Sequence, residues 1–467
     1  MIPAAPDARL PDGFAVGLSR TVRRRPDGAL LGGSPLRLLR LSARARELVA
    51  GDRVVVRDAT TAELAARLLD AGLAVPDLPP RRADDVTLVV PVRDRPEGLS
   101  HLVGALRADP ATAGLPVVVV DDGSVVPVSV PGATVLRHEV ARGPAAARNT
   151  GLRSATSEFV AFLDSDCVPE PQWLERLRPH LDDPRLAVVA PRIVALAGAE
   201  RGWLSDYEAA VSALDMGPDP AAVRPLSAAS YLPSAALLAR RSALGDGFDE
   251  AMRVAEDVDL VWRLTAAGWR VRYEPGARVA HDHPSRAGQW FRRRAFYGTG
   301  AALLAARHGG AVAPVVLAPE SAVAWALALA GGRRGRAAAA GVLALTSVRL
   351  ARRLGRPGER PPLGFAAALV LRGQGAAGRT LARAVTRHHW PLALVAAVIS
   401  RRARHAVLAV AAADAVGAWW PQRGRVGPVR FAGGRRLEDL AYGAGLWAGA
   451  LRARDLRALL PARAPGL

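Results

Sequence analysis

Phe162-Leu163-Asp164-Ser165-Asp166 ends an apolar run in two carboxylates that flank one small residue. A strand that ends this way delivers hard oxygen ligands into a cleft. Such ligands suit Mg²⁺ or Mn²⁺ and leave coordination positions for the oxygens of a diphosphate. An isolated Asp-x-Asp is common, but two further acidic sites frame this one. Upstream stands Val117-Val118-Val119-Val120-Asp121-Asp122-Gly123-Ser124, and downstream Glu256-Asp257-Val258-Asp259. Three carboxylate sites in this order point to chemistry on a nucleotide diphosphate.

Working outward, Val86-Thr87-Leu88-Val89-Val90-Pro91-Val92-Arg93-Asp94 reads as an apolar strand running into a polar loop. In open α/β sheets the ligand lies beyond the carboxyl ends of the strands. Pro91 and Asp94 therefore fall at the mouth of a site, with Asp121 and Asp122 on the next strand beside them. A carboxylate there can accept the imide N–H of uracil; Asp122-Gly123-Ser124 also reads as a simple helix cap. Between these strands and the triplet lies Arg142-Gly143-Pro144-Ala145-Ala146-Ala147-Arg148-Asn149-Thr150-Gly151-Leu152. Its small residues let a helix approach a ligand, to which Arg148 and Asn149 offer donors. The alternative for that pair is a solvated helix face.

The order of Val89-Val90-Pro91, Asp121 to Ser124, Ala147-Arg148-Asn149 and Asp164-Ser165-Asp166, continued by Pro169-Glu170-Pro171-Gln172-Trp173-Leu174, resembles the inverting family 2 glycosyltransferases of the GT-A fold. The resemblance implies an α/β nucleotide-sugar-binding domain with a mainly parallel sheet. It also implies a divalent cation held by Asp166, and Asp164 on the ribose or the metal. In that family the catalytic base falls on Asp257. An inverting transfer needs a carboxylate that takes the acceptor hydroxyl's proton as that oxygen attacks C1. Glu256, Asp259 and Arg263 are expected to meet the acceptor or support the helix start; an acidic helix start is also favoured by the dipole alone. His281 and His283 alternate on a strand-like stretch and match a position that some family members use as an extra metal ligand. The stretch Gln289-Trp290-Phe291-Arg292-Arg293-Arg294 departs from the processive polymerases, because no Trp follows the arginines.

Composition sets the wider frame. The 467 residues carry 63 Lys+Arg and 43 Asp+Glu, a net charge of +20, and no lysine appears. This surplus favours anionic partners such as nucleotide sugars or anionic lipid. Nucleic acid is not expected, since neither zinc-ligand spacing nor an RNA-recognition motif is found. The single cysteine, Cys167, excludes an intramolecular disulfide framework and fits the cytoplasm. Residues 1–7 show no charged stretch leading into an apolar one, so no cleaved secretion leader is expected.

Three regions separate by composition. Residues 1–82 read as a small α+β module of winged-helix type, with strands around Leu30 and Leu38, a helix from Ala43, and a helix opened by Thr60-Thr61-Ala62-Glu63. Residues 83–308 form the catalytic α/β domain, and residues 309–467 an Ala/Arg-rich helical region. Residues 309–332 hold one ionisable group, Glu320, and are long enough to span a membrane, although Pro314 and Pro319 interrupt them. Residues 337–348 and 390–400 are shorter and flanked by Arg349, Arg352, Arg353, Arg401 and Arg402, as helices on an anionic leaflet would be. The competing expectation is a helical domain packed on itself.

The N-terminal module, with Gly32-Gly33-Ser34-Pro35-Leu36-Arg37-Leu38-Leu39, is similar to the PqqD-like precursor-recognition domains. Joined to the core and tail, it resembles the mycofactocin-system glycosyltransferases of actinobacteria. That resemblance implies hexose transfer, glucose from UDP-glucose, onto a peptide-derived small-molecule acceptor in the cytoplasm or at the cytoplasmic membrane face. The rival expectations are a membrane-face transferase acting on a cell-wall or lipid-linked acceptor, and a non-catalytic peptide-binding scaffold.

Overall fold

A computed structural model describes residues 1–196, 202–282, 286–355 and 360–463. The chain divides into two compact units, Met1–Ser285 and Arg286–Leu467. The sequence boundary near residue 308 falls inside the second unit, at the end of the helix Ala287–His308.

The first unit opens with the α+β module. The strand Ala15–Leu18 lies antiparallel between Arg53–Val55 and Ala74–Pro76, and Arg23–Arg24, Leu30–Gly32 and Arg37–Leu39 form a second small sheet. The helix Ala59–Asp70 covers them, burying Leu64, Leu68 and Leu69 against Leu30, Val54 and Leu73. Its cap corrects the sequence reading. The Asp58 carboxylate accepts from the Thr61 N–H at 2.8 Å while the Thr61 hydroxyl accepts from the Asp58 N–H, so Thr61 closes the box from inside the helix.

The central sheet has nine strands. Phe159–Leu163, Val86–Val92, Val117–Asp122 and Thr134–His138 run parallel in that spatial order. On the other side of Phe159–Leu163 the sheet turns mixed, through antiparallel Ala236–Arg240 to Leu186–Ala195 and Arg270–His281. Every residue of Phe159–Leu163 is buried, which is why the segment reads as a continuous apolar run instead of alternating. Two glycines bring helices close to the sheet. A Cβ on Gly151 would lie 2.2 Å from Val89 Cγ1, and one on Gly98 would lie 2.7 Å from the Ser165 carbonyl oxygen. Only glycine lets the helices Pro144–Ser154 and Pro96–Ala108 sit against the strand ends at those points.

The second unit is helical. Ala287–His308 packs along Pro428–Ala453 through small residues, with Ala301, Ala305, Leu446 and Ala450 at the centre. Among the described residues no helix is long and apolar enough to cross a membrane. Residues 309–332 break into a short 3₁₀ turn, the strand Val316–Leu317 and the 12-residue helix Pro319–Ala330. At 1.5 Å per residue that helix covers about 18 Å, well short of a hydrocarbon core of about 30 Å. Pro319 begins the helix where a spanning segment would need it to continue.

Candidate active site

The strand Phe159–Leu163 hands its chain to Asp164 at the carboxyl edge of the sheet. There the Asp164 N–H donates to the Ala235 carbonyl at 2.9 Å, and the Cys167 N–H turns back onto the Asp164 carbonyl at 3.0 Å. Cys167 is fully buried, its thiol donates to Ala235 at 3.3 Å, and burial together with Asp164 and Asp166 pushes its pKa well up. It anchors the turn and is no nucleophile.

Cys167 also pairs in register with His281. That pairing sets His281 Nε2 3.4 Å from Asp166 Oδ1, while Arg95 reaches Asp166 Oδ2 at 3.1 Å. The Asp282 N–H donates to the Asp166 carbonyl at 2.9 Å. His283 lies outside the described residues. No group of three or more His, Cys, Asp or Glu able to hold a metal is found among the described residues. Asp166 offers the one hard carboxylate that a Mg²⁺-type ion can take beside water and phosphate oxygens, with the His281 imidazole against it.

Arg148 joins the motifs. It sits on the helix Pro144–Ser154 with its side chain 4% exposed, donating to Asp164 at 2.6 Å and to Glu256 at 3.0 Å. Burial opposes its charge, but Asp164 and Glu256 outweigh burial and raise its pKa. One guanidinium therefore ties the Asp-x-Asp turn to the start of the helix Glu256–Ala266. Ala255 precedes that helix in the left-handed region, φ 62°, which turns Glu256 and Asp257 toward the strand ends.

Half-buried Asp257 accepts from the Ser234 N–H at 3.1 Å and from the Val258 N–H at 2.8 Å. Burial and then the Glu256 carboxylate push its pKa up to about 6, against the pull of those N–H groups and of Arg148. A carboxylate poised there can take a proton near neutral pH. Asp259 and Arg263 pair at 2.7 Å, and Arg263 also holds the Gly247 carbonyl at 2.9 Å, so this pair braces the helix start.

The earlier strands contribute scaffolding. Asp121 is completely buried; it accepts from the Ser124 and Val128 N–H groups and from Arg137, which shapes the loop after its strand. Asp122 accepts from the Arg142 and Gly143 N–H groups, each at 2.8 Å, and from His138 at 2.7 Å. Asp94 clips that loop too, its N–H on Ser124 Oγ and its carboxylate on the Val125 N–H. Pro91 pairs in register with Val120 at the strand ends. The Asn149 amide is engaged on both sides by the Phe248 backbone, accepting and donating at 2.8 Å. It pins residues 247–250 and is spent as a donor to a ligand.

A cavity of about 230 Å³ opens beside Asp166, lined by Asp94, Arg95, His101, Val168 and Asp282 among others. Sequence reading missed Arg95, His101 and Asp282 as lining groups. Arg95 carried one usable signal, its place at the end of the first strand's loop, just before the helix-opening Pro96.

The family model described as "Glycosyl transferase family 2" matches residues 87–244. The chain is 49% identical to the pre-mycofactocin glycosyltransferase of Mycobacterium tuberculosis (strain ATCC 25618 / H37Rv), over 97% of this chain and 98% of that one. It is 27% identical to the succinoglycan biosynthesis protein ExoO of Rhizobium meliloti (strain 1021), over 42% of this chain and 60% of that one. Among solved structures, a mannosyltransferase from Pyrobaculum calidifontis in complex with GDP-Man and Mn²⁺ is 21% identical, covering 74% of this chain and 91% of that one with a TM-score of 0.36. With half its residues identical across almost the full length of both proteins, the chain belongs to the pre-mycofactocin glycosyltransferases, within glycosyltransferase family 2.

Proposed function

We propose that this enzyme transfers glucose from UDP-glucose, with inversion, onto the peptide-derived cofactor precursor pre-mycofactocin. The observation that carries the reading is the Arg148 bridge, which holds Asp164 of the Asp-x-Asp turn and Glu256 beside Asp257 on one side chain. Asp257 takes the acceptor hydroxyl's proton as that oxygen attacks C1. Glu256 holds Arg148 in place beside the acceptor. Pro91, Asp94 and the loops that Asp121 and Asp122 shape border the base, with Asp164 on the ribose side.

The charge at the strand ends supports a divalent cation. Among the described residues, the carboxylates of Asp164, Asp166, Glu256 and Asp257 stand around the guanidiniums of Arg95 and Arg148, and Arg148 is shared between two of them. Asp166 and His281 would hold Mg²⁺ or Mn²⁺, and the ion would supply charge neutralisation to the departing diphosphate. To test the reading, the enzyme is incubated with pre-mycofactocin and a panel of nucleotide sugars, and mass shifts are read. Hexose additions that depend on UDP-glucose are expected. Donor hydrolysis that ignores the acceptor would overturn it.

One observation favours a membrane-face location. The helix Trp390–Ile399 has no buried residue; Val398 is 70% and Ile399 79% exposed. Arg401, Arg402 and Arg404 follow directly. We propose that this apolar helix with its basic flank lies on an anionic leaflet. Co-sedimentation with anionic vesicles at low salt is expected, and its absence would exclude the surface.

A further inference from the structure

A cavity of about 330 Å³ lies at the seam between the N-terminal module and the catalytic sheet, away from the carboxyl strand ends. Arg37 and Asp70 come from the module; Arg185, Arg224, Arg270 and Arg272 come from the core. The strand Arg270–His281 gives this site and the metal pair their separation. The cavity takes its first residues and Asp166 faces its last, so with the bulge between Glu274 and Arg278 the two sites stand roughly 20–30 Å apart at about 3.3 Å per residue.

The cations exceed their partners. Asp70 is bound by Arg270 at 2.8 Å and lies 3.7 Å from Arg185. Buried Asp183 takes Arg270 at 3.0 Å and Arg272 at 2.6 Å. Of the five guanidiniums that line the cavity, three thus share two carboxylates. Among the described residues Arg37 and Arg224 have no carboxylate within ion-pair distance, and Arg272, 5% exposed, keeps Nη1 buried without a hydrogen-bond partner. Burial lowers the Arg224 pKa, and Arg37 and Arg270 lower it further against the pull of Asp70. Arranging like charges around an open cavity costs stability unless an anion completes the set.

We infer that this seam is a binding site for a multivalent oxyanion, held by Arg37 and Arg224 across the two domains. Planar guanidiniums meet phosphate and carboxylate oxygens equally well in paired hydrogen bonds. The volume admits more than a single inorganic ion, so a phosphorylated metabolite or a carboxylate-bearing peptide can supply the group. Occupancy would couple the module to the core, because each side contributes a cation that the other repels.

Titration calorimetry on the full chain without divalent metal tests this, with pyrophosphate and citrate as probes. Binding of at least one probe is expected. Pyrophosphate alone would point to a phosphorylated source and citrate alone to a carboxylate source. Arg224→Met should weaken binding at least about tenfold, the loss of one charge-assisted contact. Arg37→Met, on the exposed rim, should do the same if Arg224→Met fails to fold. Neither probe binding, or unchanged affinity in Arg37→Met, would overturn the inference.

Discussion

The raised pKa of Asp257 makes the pH profile the sharpest test of the proposed base. A general base works only when deprotonated. With its pKa near 6, pushed up by burial and by Glu256, Asp257 loses that form as pH falls through about 6. The ionised fraction falls from about 0.9 at pH 7 to about 0.1 at pH 5, so kcat should drop roughly tenfold over that interval. An ordinary aspartate with a pKa of 3.8 would leave the profile flat there. Two substitutions should move the limb in opposite directions. Glu256→Gln removes the neighbouring charge that raises the pKa, so the limb moves down. Arg148→Met removes a cation that lowers it, so the limb moves up. Asp257→Asn should lower kcat by about 10²–10⁴ with donor affinity nearly unchanged. The assay is acceptor-dependent release of nucleoside diphosphate at saturating substrates. A flat profile to pH 5, with Asp257→Asn within a few-fold of the unsubstituted enzyme, would refute the assignment.

Arg148→Met should also cost about 3–5 kcal/mol of stability in denaturant melts, since it strands Asp164 and Glu256 against each other in a buried site. Asn149→Ala should destabilise by about 1–3 kcal/mol through the released Phe248 backbone groups. Donor affinity measured by calorimetry should hardly change, whereas a direct donor contact at Asn149 would weaken it strongly. Asp166→Asn should abolish calorimetrically detectable Mn²⁺ binding and lower turnover by orders of magnitude while the melting temperature holds. Deleting residues 390–463 should release the protein from anionic vesicles if Trp390–Ile399 is the contact.

The catalytic core was legible because its signals are local. Phe159–Leu163 had to be a central strand from its unbroken apolar run, and the carboxylates after it could only sit at the sheet edge. The pairing of Asp166 with His281 was half legible, as register across 115 residues is set by tertiary packing. Asn149 misled the sequence reading for a related reason. Its helix position suggested a ligand donor, yet the partner that consumes it, Phe248, lies 99 residues on. The tail misled through composition. Alanine and leucine runs score as apolar whether they face lipid or one another, and Pro319 decided the matter by starting a short helix. The basic seam was invisible, because Arg37 and Arg224 approach only when the module docks.

The cleft's charge balance also constrains the order in which substrates arrive. Without a cation, Asp164, Asp166, Glu256 and Asp257 stand close together at the strand ends, and each of these carboxylates repels an approaching diphosphate. Arg148 cannot turn to the donor without releasing Asp164 or Glu256, each of which would then lie partly buried and unpaired. Arg95 is different. It is 48% exposed and, among the described residues, pairs with the carboxylate expected to bind metal, so a cation on Asp166 would displace it toward solvent or toward the incoming phosphates. Metal binding should therefore both remove the repulsion and free one guanidinium for the leaving group. On this account Arg95→Met should bind Mn²⁺ at least as tightly as the unsubstituted enzyme, because the competing cation is gone. The same variant should bind the donor diphosphate less tightly once the metal is in place. Weakened Mn²⁺ binding in Arg95→Met would show instead that Arg95 positions Asp166 for the ion.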